Sequence, residues 1–401
     1  MIEQRAPIDF PLPPPGSIFH PGVELAELQR DRPVAEFRLA DGSTGWLVTR
    51  YEDVRTVLVD PRFSRAEANK PGVPDPGLGQ ATTDSILGMD PPEHTRLRRL
   101  VAGAFTVRRV EALRPRVVEM VDELIDQLVK LGQPADLVEN FSLPLPVQVI
   151  CELLGVPAED RHEFHGWSDV VLSDSTAKPE EIQAGFGHLS AYFQKLIAVK
   201  RERPADDLMT ALIAARDDRD RLSESELVRL CLTVLIAGHE TTANQINMFL
   251  LTLHQFPDQL ARLQERPESI PQAVEELMRF VQLGAGGVGL IRVATEEVEL
   301  SGVRLPAGSA ILPVTAIANR DPALVSDPDR LDILRSNGAH LGFGAGVHHC
   351  LGAQLARMEL QEALRGLLGR LPSLRIDVPV DELHFKEGMI VRSLHALPVR
   401  W

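Results

Sequence analysis

Read for its alternation of apolar and polar positions, the chain opens in β pattern and then turns helical. Ala35, Phe37 and Leu39 alternate with polar neighbours, Asp41-Gly42 supplies turn chemistry, and Trp46 and Val48 resume the alternation. A hairpin is predicted over 34–49. Tyr51 to Val59 reads as a short helix closed by Asp60-Pro61. Residues 64–88 are irregular and rich in Pro, Gly, Asp and Thr. Loops of that length inside a compact chain tend to be functional lids, so a lid is expected there. From Glu93 to about Leu371 helical periodicity dominates, with prolines 144, 146, 157, 179, 204, 257, 267 and 271 marking the joints.

One helix stands out. Ser223-Glu-Ser-Glu226 is a capping box, and apolar periodicity continues to Phe256, where Pro257 stops it. That is roughly 34 residues, or about 50 Å at 1.5 Å per residue. Ala237-Gly238 lies near its middle, followed by His239-Glu240-Thr241-Thr242, polar groups where a buried helix should be apolar. Later, Val298 to Leu312 predicts three short strands joined by a Ser-Gly and a Pro-Ala-Gly turn. The proline-dense residues 1–20 read as an extended arm laid over the surface. Nothing divides the chain, so the expectation is one domain over 1–401, mainly α with small β-sheets.

Composition narrows the classes. With 44% apolar and 25% charged residues among 401, disorder is excluded and a sizeable core is easily built. The formal net charge of −15 argues against a nucleic-acid partner, because no extended face could neutralise a phosphate backbone. Three cysteines (Cys151, Cys231, Cys350) cannot make a disulfide framework and suit a reducing compartment. The longest apolar run, Leu230 to Ala237, is far too short to span a membrane, and the N-terminus lacks a secretory pattern. A cytoplasmic protein without a membrane partner is expected.

The candidate chemistry concentrates in His340 to Arg357. A glycine-dense loop (Gly342, Gly344, Gly346) leads to Cys350, then Gly352 and a helix from Ala353. A cysteine just before a helix N-terminus feels the positive end of the helix dipole, which favours the thiolate. Flanking glycines let something flat and bulky approach the sulfur, as an axial thiolate on haem iron requires. A zinc ligand would need partners at CxxC or HxxxH spacing, and none appears. A nucleophilic cysteine would need a remote His and Asn or Asp. Cys151 and Cys231, set in apolar runs, read as small buried hydrophobes. Gly284-Ala-Gly-Gly-Val-Gly289 follows a helix and precedes a strand, the wrong context for a dinucleotide loop; a small-residue loop beside a pocket is the better account.

The arrangement Phe343-x-x-Gly346-x-His348-x-Cys350-x-Gly352 resembles the haem-binding signature of the cytochrome P450 family. Glu276-x-x-Arg279, Ala237-Gly238-His239-Glu240-Thr241, Asp90-Pro-Pro-Glu-His94-x3-Arg98 and Ala318-Asn-Arg-Asp-Pro322 resemble further family motifs in the right order, and the resemblance spans about 20–400. It implies a single-domain P450 fold carrying haem b (heme b, iron protoporphyrin IX), with Cys350 on the iron. His94, Arg98, Arg292 and His348 would bind the propionates, and Phe343, Gly344, Gly352 and Ala237 would line the haem. Glu276 and Arg279 would form a buried pair rather than a solvated one. Thr241 would hydrogen-bond the activated dioxygen while Glu240 feeds a proton relay.

The same resemblance implies a monooxygenase that inserts one oxygen atom from O2 into a C–H or C=C bond. Alternatives on one scaffold are oxidative coupling, desaturation, peroxide-driven oxidation or haem binding without turnover. The implied electron donors are a ferredoxin and its ferredoxin reductase, met by a basic patch of Arg96, Arg99, Arg108 and Arg109, with His349 and Arg357 on the thiolate side. The implied substrate is a bulky, mostly apolar polyketide, macrolide or peptide natural product, free or carrier-bound. It would be selected by the 64–88 lid, the Phe164–Phe193 helices, Val234, Ala237, Leu283, Gly287, Val288, Met389 and Ile390.

Overall fold

The computed structural model describes residues 6–12, 17–75, 85–160, 163–164, 166–167, 170, 178–217, 222–281, 283–284, 289–336, 339–387 and 391–401. The chain gathers into two compact units, residues 1–95 with 272–350 and residues 96–271 with 351–401.

The first unit is built on a six-stranded sheet. Its order is Ile8–Asp9, Val34–Arg38, Thr44–Val48, Ala310–Pro313, Arg292–Ala294 and Phe63–Ser64. The predicted hairpin forms with Val34 opposite Val48 and Arg38 opposite Thr44. Its turn is held by Asp41, whose carboxylate accepts from the Ser43 N–H and hydroxyl. Helix Tyr51–Val59 follows as the periodicity predicts. The three strands of 298–312 also form, the first two as a hairpin through Ser301 and Gly302. Buried Phe37, Leu47, Ile311 and Leu312 fill the sheet's faces.

Two features depart from the sequence reading. The N-terminal arm is not simply laid on the surface: Ile8 and Asp9 pair in parallel with Phe37 and Arg38, and Phe10 is buried against the Phe37 ring. An exposed sheet edge carries unpaired N–H and C=O groups, and the arm satisfies them. Nor is 64–88 irregular from its start. Phe63–Ser64 pairs antiparallel with Val293–Ala294, and Glu67–Asn69 makes a 3-10 turn. Asp90 then pins the segment by accepting from Ser64 Oγ and from the Arg65 and Ala66 N–H groups. Residues 76–84, the heart of the expected lid, lie outside the described residues.

The second unit is helical. Helices Val107–Leu131, Pro144–Leu154, Pro179–Glu202, Leu208–Asp217, Pro257–Glu265 and Ala353–Arg370 accompany the long helix Glu224–Gln255. Prolines 144, 179 and 257 each open one of these helices, where a missing N–H is harmless. The capping box forms as predicted: Ser223 Oγ accepts from the Glu226 N–H at 3.1 Å, and the Glu226 carboxylate accepts from the Ser223 N–H at 2.7 Å. The long helix buries nearly every side chain from Thr242 to Leu253, which is why so long an element needs no charged face. Cys151 and Cys231 are fully buried, and burial pushes the Cys231 thiol up to about 12, so both act as small hydrophobes. Among the described residues no helix is long and apolar enough to cross a membrane.

Candidate functional site

In the first unit the 341–350 loop folds back on itself. Phe343 is buried, its carbonyl accepts from the Cys350 N–H at 2.8 Å, and the Leu341 carbonyl accepts from the Gly344 N–H at 2.9 Å. Gly346 holds φ +70, and a Cβ there would run into the Leu58 carbonyl oxygen and lie 2.9 Å from Val59 Cα. Only glycine lets this loop seat against helix Tyr51–Val59. The loop delivers Cys350 to an exposed position, two residues before Gly352, the N-cap of helix Ala353–Arg370.

Beside the cysteine the unit gathers two guanidinium groups and two imidazoles. His94 is buried and its ring lies 4.3 Å from that of His348, whose Nε2 is buried with no hydrogen-bond partner among the described residues. Arg65 and Arg292 are also buried. Arg65 donates to the carbonyls of Leu87 and Ile291, and Arg292 to that of Leu290 at 3.0 Å. Burial and then Arg65 pull the Arg292 guanidinium down to about 9; burial pulls Arg65 to about 10. His348 falls to about 3 through burial, His94, Arg292 and Arg65, with Asp90 opposing all three shifts. Cations are gathered this way, against desolvation and mutual repulsion, where an anion is to be received. A group bearing two carboxylates would fit this donor set.

Glu276 and Arg279 lie on the buried face of helix Ile270–Phe280 and pair bidentately at 2.8 and 2.9 Å. Arg279 also donates to the Asn319 and Pro328 carbonyls, while Glu276 accepts from Arg335 Nε at 3.1 Å and from the Asp332 N–H at 3.0 Å. Asn319 Oδ1 in turn accepts from the Leu341 N–H at 2.7 Å, at the root of the cysteine loop. Arg320 packs its guanidinium 3.7 Å from the Phe280 ring centre and pairs with Asp329. Every polar atom of such a buried pair needs a partner, and here backbone groups of Asn319, Pro328 and Asp332 and the Arg335 side chain supply them.

In the second unit the middle of the long helix opens. Ala237 is exposed and Thr233 and Thr241 are half-exposed, one turn apart on one stripe of an otherwise buried helix, with Val234 buried beside them. The Thr241 hydroxyl donates to the Ala237 carbonyl at 2.6 Å, the ordinary back-bonded geometry of a mid-helix threonine. Glu240 is buried; its Oε1 accepts from Ser393 Oγ at 2.7 Å, and Asn244 Nδ2 donates to the Glu240 carbonyl at 2.9 Å. His239 is buried next to it.

Other expected residues are placed less tightly. Arg98 is half-buried one turn beyond His94, and Leu283 is half-buried. Gly287, Val288, Met389 and Ile390 lie outside the described residues, as do 165, 168–169 and 171–177 of the 164–193 region. The basic cluster is partly spent: Arg96 pairs with Glu226 and Arg109 approaches Asp206 at 3.7 Å, whereas Arg99 and Arg108 are exposed. Three participants escaped the sequence reading. Asn244 was legible, since it sits one turn after Glu240 on the same helix face. Arg65 and Ser393 carried no signal, because their roles depend on contacts with residues 226 and 153 positions away.

Residues 147–374 match the cytochrome P450 family. Over 95% of both chains the protein is 49% identical to the nocardicin C N-oxygenase of Nocardia uniformis subsp. tsuyamanensis. It is 50% identical to the mycinamicin IV hydroxylase/epoxidase of Micromonospora griseorubida, over 95% of this chain and 96% of that one. Among solved structures, the LnmA cytochrome P450 hydroxylase of the leinamycin biosynthetic pathway of Streptomyces atroolivaceus S-140 superposes with a TM-score of 0.91 at 46% identity, covering 98% of this chain and 100% of that one. The chain belongs to the cytochrome P450 family, and is a monooxygenase that carries haem b on a cysteine thiolate.

Proposed function

We propose that Cys350 supplies that thiolate and that Arg65, His94, Arg98, Arg292 and His348 receive the two carboxylates of the haem. The supporting observation is that Arg65, His94, Arg292 and His348 lie buried or half-buried beside an exposed thiol in one compact unit; Arg98 follows His94 on the same helix. Phe343, Gly344 and Gly352 shape the loop around the sulfur, and Ala237 is exposed on its own helix. When bound, the haem supplies reductive activation of dioxygen, and the thiolate's electron donation favours cleavage of its O–O bond. The chain's own residues manage protons and access. With its proton on the Ala237 carbonyl, the Thr241 oxygen accepts a hydrogen bond from a polar group entering above that turn. The Glu240 carboxyl, one residue earlier, holds the proton supply. Glu276 and Arg279 keep the cysteine loop in register through Asn319.

Relatives named for mycinamicin IV and nocardicin C support a natural-product substrate, and the reading adopted is a bulky, mostly apolar one with a few polar anchors. Exposed Arg99 and Arg108 support a small acidic ferredoxin, served by its reductase, as electron donor. The test is spectroscopic. Reduced protein under carbon monoxide should show the strongly red-shifted Soret band of thiolate ligation, and Cys350→His should abolish it; a Cys350→Ser protein that kept the band would refute the assignment. A macrolide or peptide panel should shift the ferric spin state, and tight binding of a small terpene alone would refute the substrate class.

A further inference from the structure

We propose that Ser393 is a positioning residue for Glu240, fixing which oxygen of its carboxyl carries the proton. The proposal rests on the relay role given to Glu240 above. Ser393 is buried in the segment after residues 388–390, tied by its carbonyl to the Lys386 N–H at 2.8 Å and followed by a bridge between Leu394 and Phe385. Its hydroxyl could donate or accept, and the surroundings decide which. Asn244 Nδ2 donates to the Glu240 backbone carbonyl at 2.9 Å, which fixes that end of the amide as NH2. The same nitrogen lies 2.7 Å from Ser393 Oγ, so the serine oxygen must accept from it. Ionised Glu240 offers only acceptors, so the serine proton is directed to its Oε1, 2.7 Å away.

Two consequences follow. A hydrogen bond to the ionised carboxylate favours that form. Because Oε1 already accepts the serine proton, the proton that Glu240 gains and gives up resides on Oε2. The nearest titratable neighbours in sequence on the two elements are His239 beside Glu240 and Arg392 beside Ser393, and both are retained in the variants below.

The test uses ferric holoenzyme. The carbonyl stretch of the protonated Glu240 carboxyl is titrated by infrared difference spectroscopy and assigned by its disappearance in Glu240→Gln. Ser393→Ala should move the titration midpoint up by about one pH unit, as loss of one charge-assisted hydrogen bond implies. Ser393→Thr should restore it, and Asn244→Ala should move it the same way by less. Haem content should stay unchanged in all three, so a merely structural role would leave the midpoint where it was. An unmoved midpoint in Ser393→Ala, or a shift that Ser393→Thr fails to restore, would overturn the proposal. Peroxide released per NADPH consumed, measured with Glu240→Gln, judges the relay separately. If that ratio is unchanged while Ser393→Ala still moves the midpoint, the relay role fails and the positioning stands.

Discussion

His94 and His348, 254 positions apart in the chain, bring their imidazole rings to 4.3 Å beside two buried arginines. Rings so placed repel when both are protonated, and the arrangement becomes favourable once negative charge arrives. On the proposed reading, this cluster suits an anionic ligand better than the empty fold.

Arg65 should therefore govern haem retention although no motif announces it. Arg65→Ala should speed haem transfer to apomyoglobin by roughly tenfold or more, the scale of one charge-assisted hydrogen bond. Arg65→Lys should recover part of the loss. A transfer rate equal to the parent protein's would remove Arg65 from the cradle.

Gly346 leaves no room for a side chain. Gly346→Ala combines a left-handed backbone with a collision at the Leu58 carbonyl and should destabilise the holoprotein by about 1–3 kcal/mol. Gly302 also has positive φ but nothing within 4 Å of its would-be Cβ, so Gly302→Ala should destabilise less. Thermal melts of the two variants compare them directly; equal losses would mean that the contact is irrelevant.

Thr241→Ala should leave haem content and ligand-induced spin shifts intact, since the lost bond is only a local one to the Ala237 carbonyl. Product formed per NADPH should fall while peroxide or water rises. Thr241→Ser should retain coupling. Unchanged coupling in the alanine variant would dismiss the hydroxyl from proton handling.

Glu359 offers a pH test of stability. It is buried, its Oε2 has no hydrogen-bond partner among the described residues, and burial raises its carboxyl well above the ordinary range. A raised folded-state value means that the protonated side chain is tolerated at low pH. Stability is then lost as pH climbs from the ordinary carboxylate value of 4.5 toward the folded one. Glu359→Gln should therefore gain melting temperature relative to the parent as pH rises from 5 to 9. A difference that stayed flat across that range would contradict the assignment.

Charge reversal at Arg99 or Arg108 should slow reduction by a plant-type ferredoxin and weaken its salt dependence. Reversal at Arg96 confounds the test, because it also breaks the pair with Glu226. First-electron rates at low ionic strength decide; if they match the parent's, these arginines only solvate their helices.

Local chemistry made much of this protein readable from its sequence. The hairpin, the helix Tyr51–Val59, the capped long helix and the three strands of 298–312 each follow from periodicity and turn residues acting over a few positions. The signature around Cys350 and the pairing of Glu276 with Arg279 were legible for the same reason, since their spacing is local. Tertiary structure alone decided the rest. It added the N-terminal arm to a sheet edge, tied Ser64 and Arg65 to Asp90, and brought Ser393 to Glu240 across 153 positions. Burial is what limits the partners of Arg65 and Ser393: a cation or hydroxyl in water has countless partners, but away from water it keeps only the few that the fold supplies.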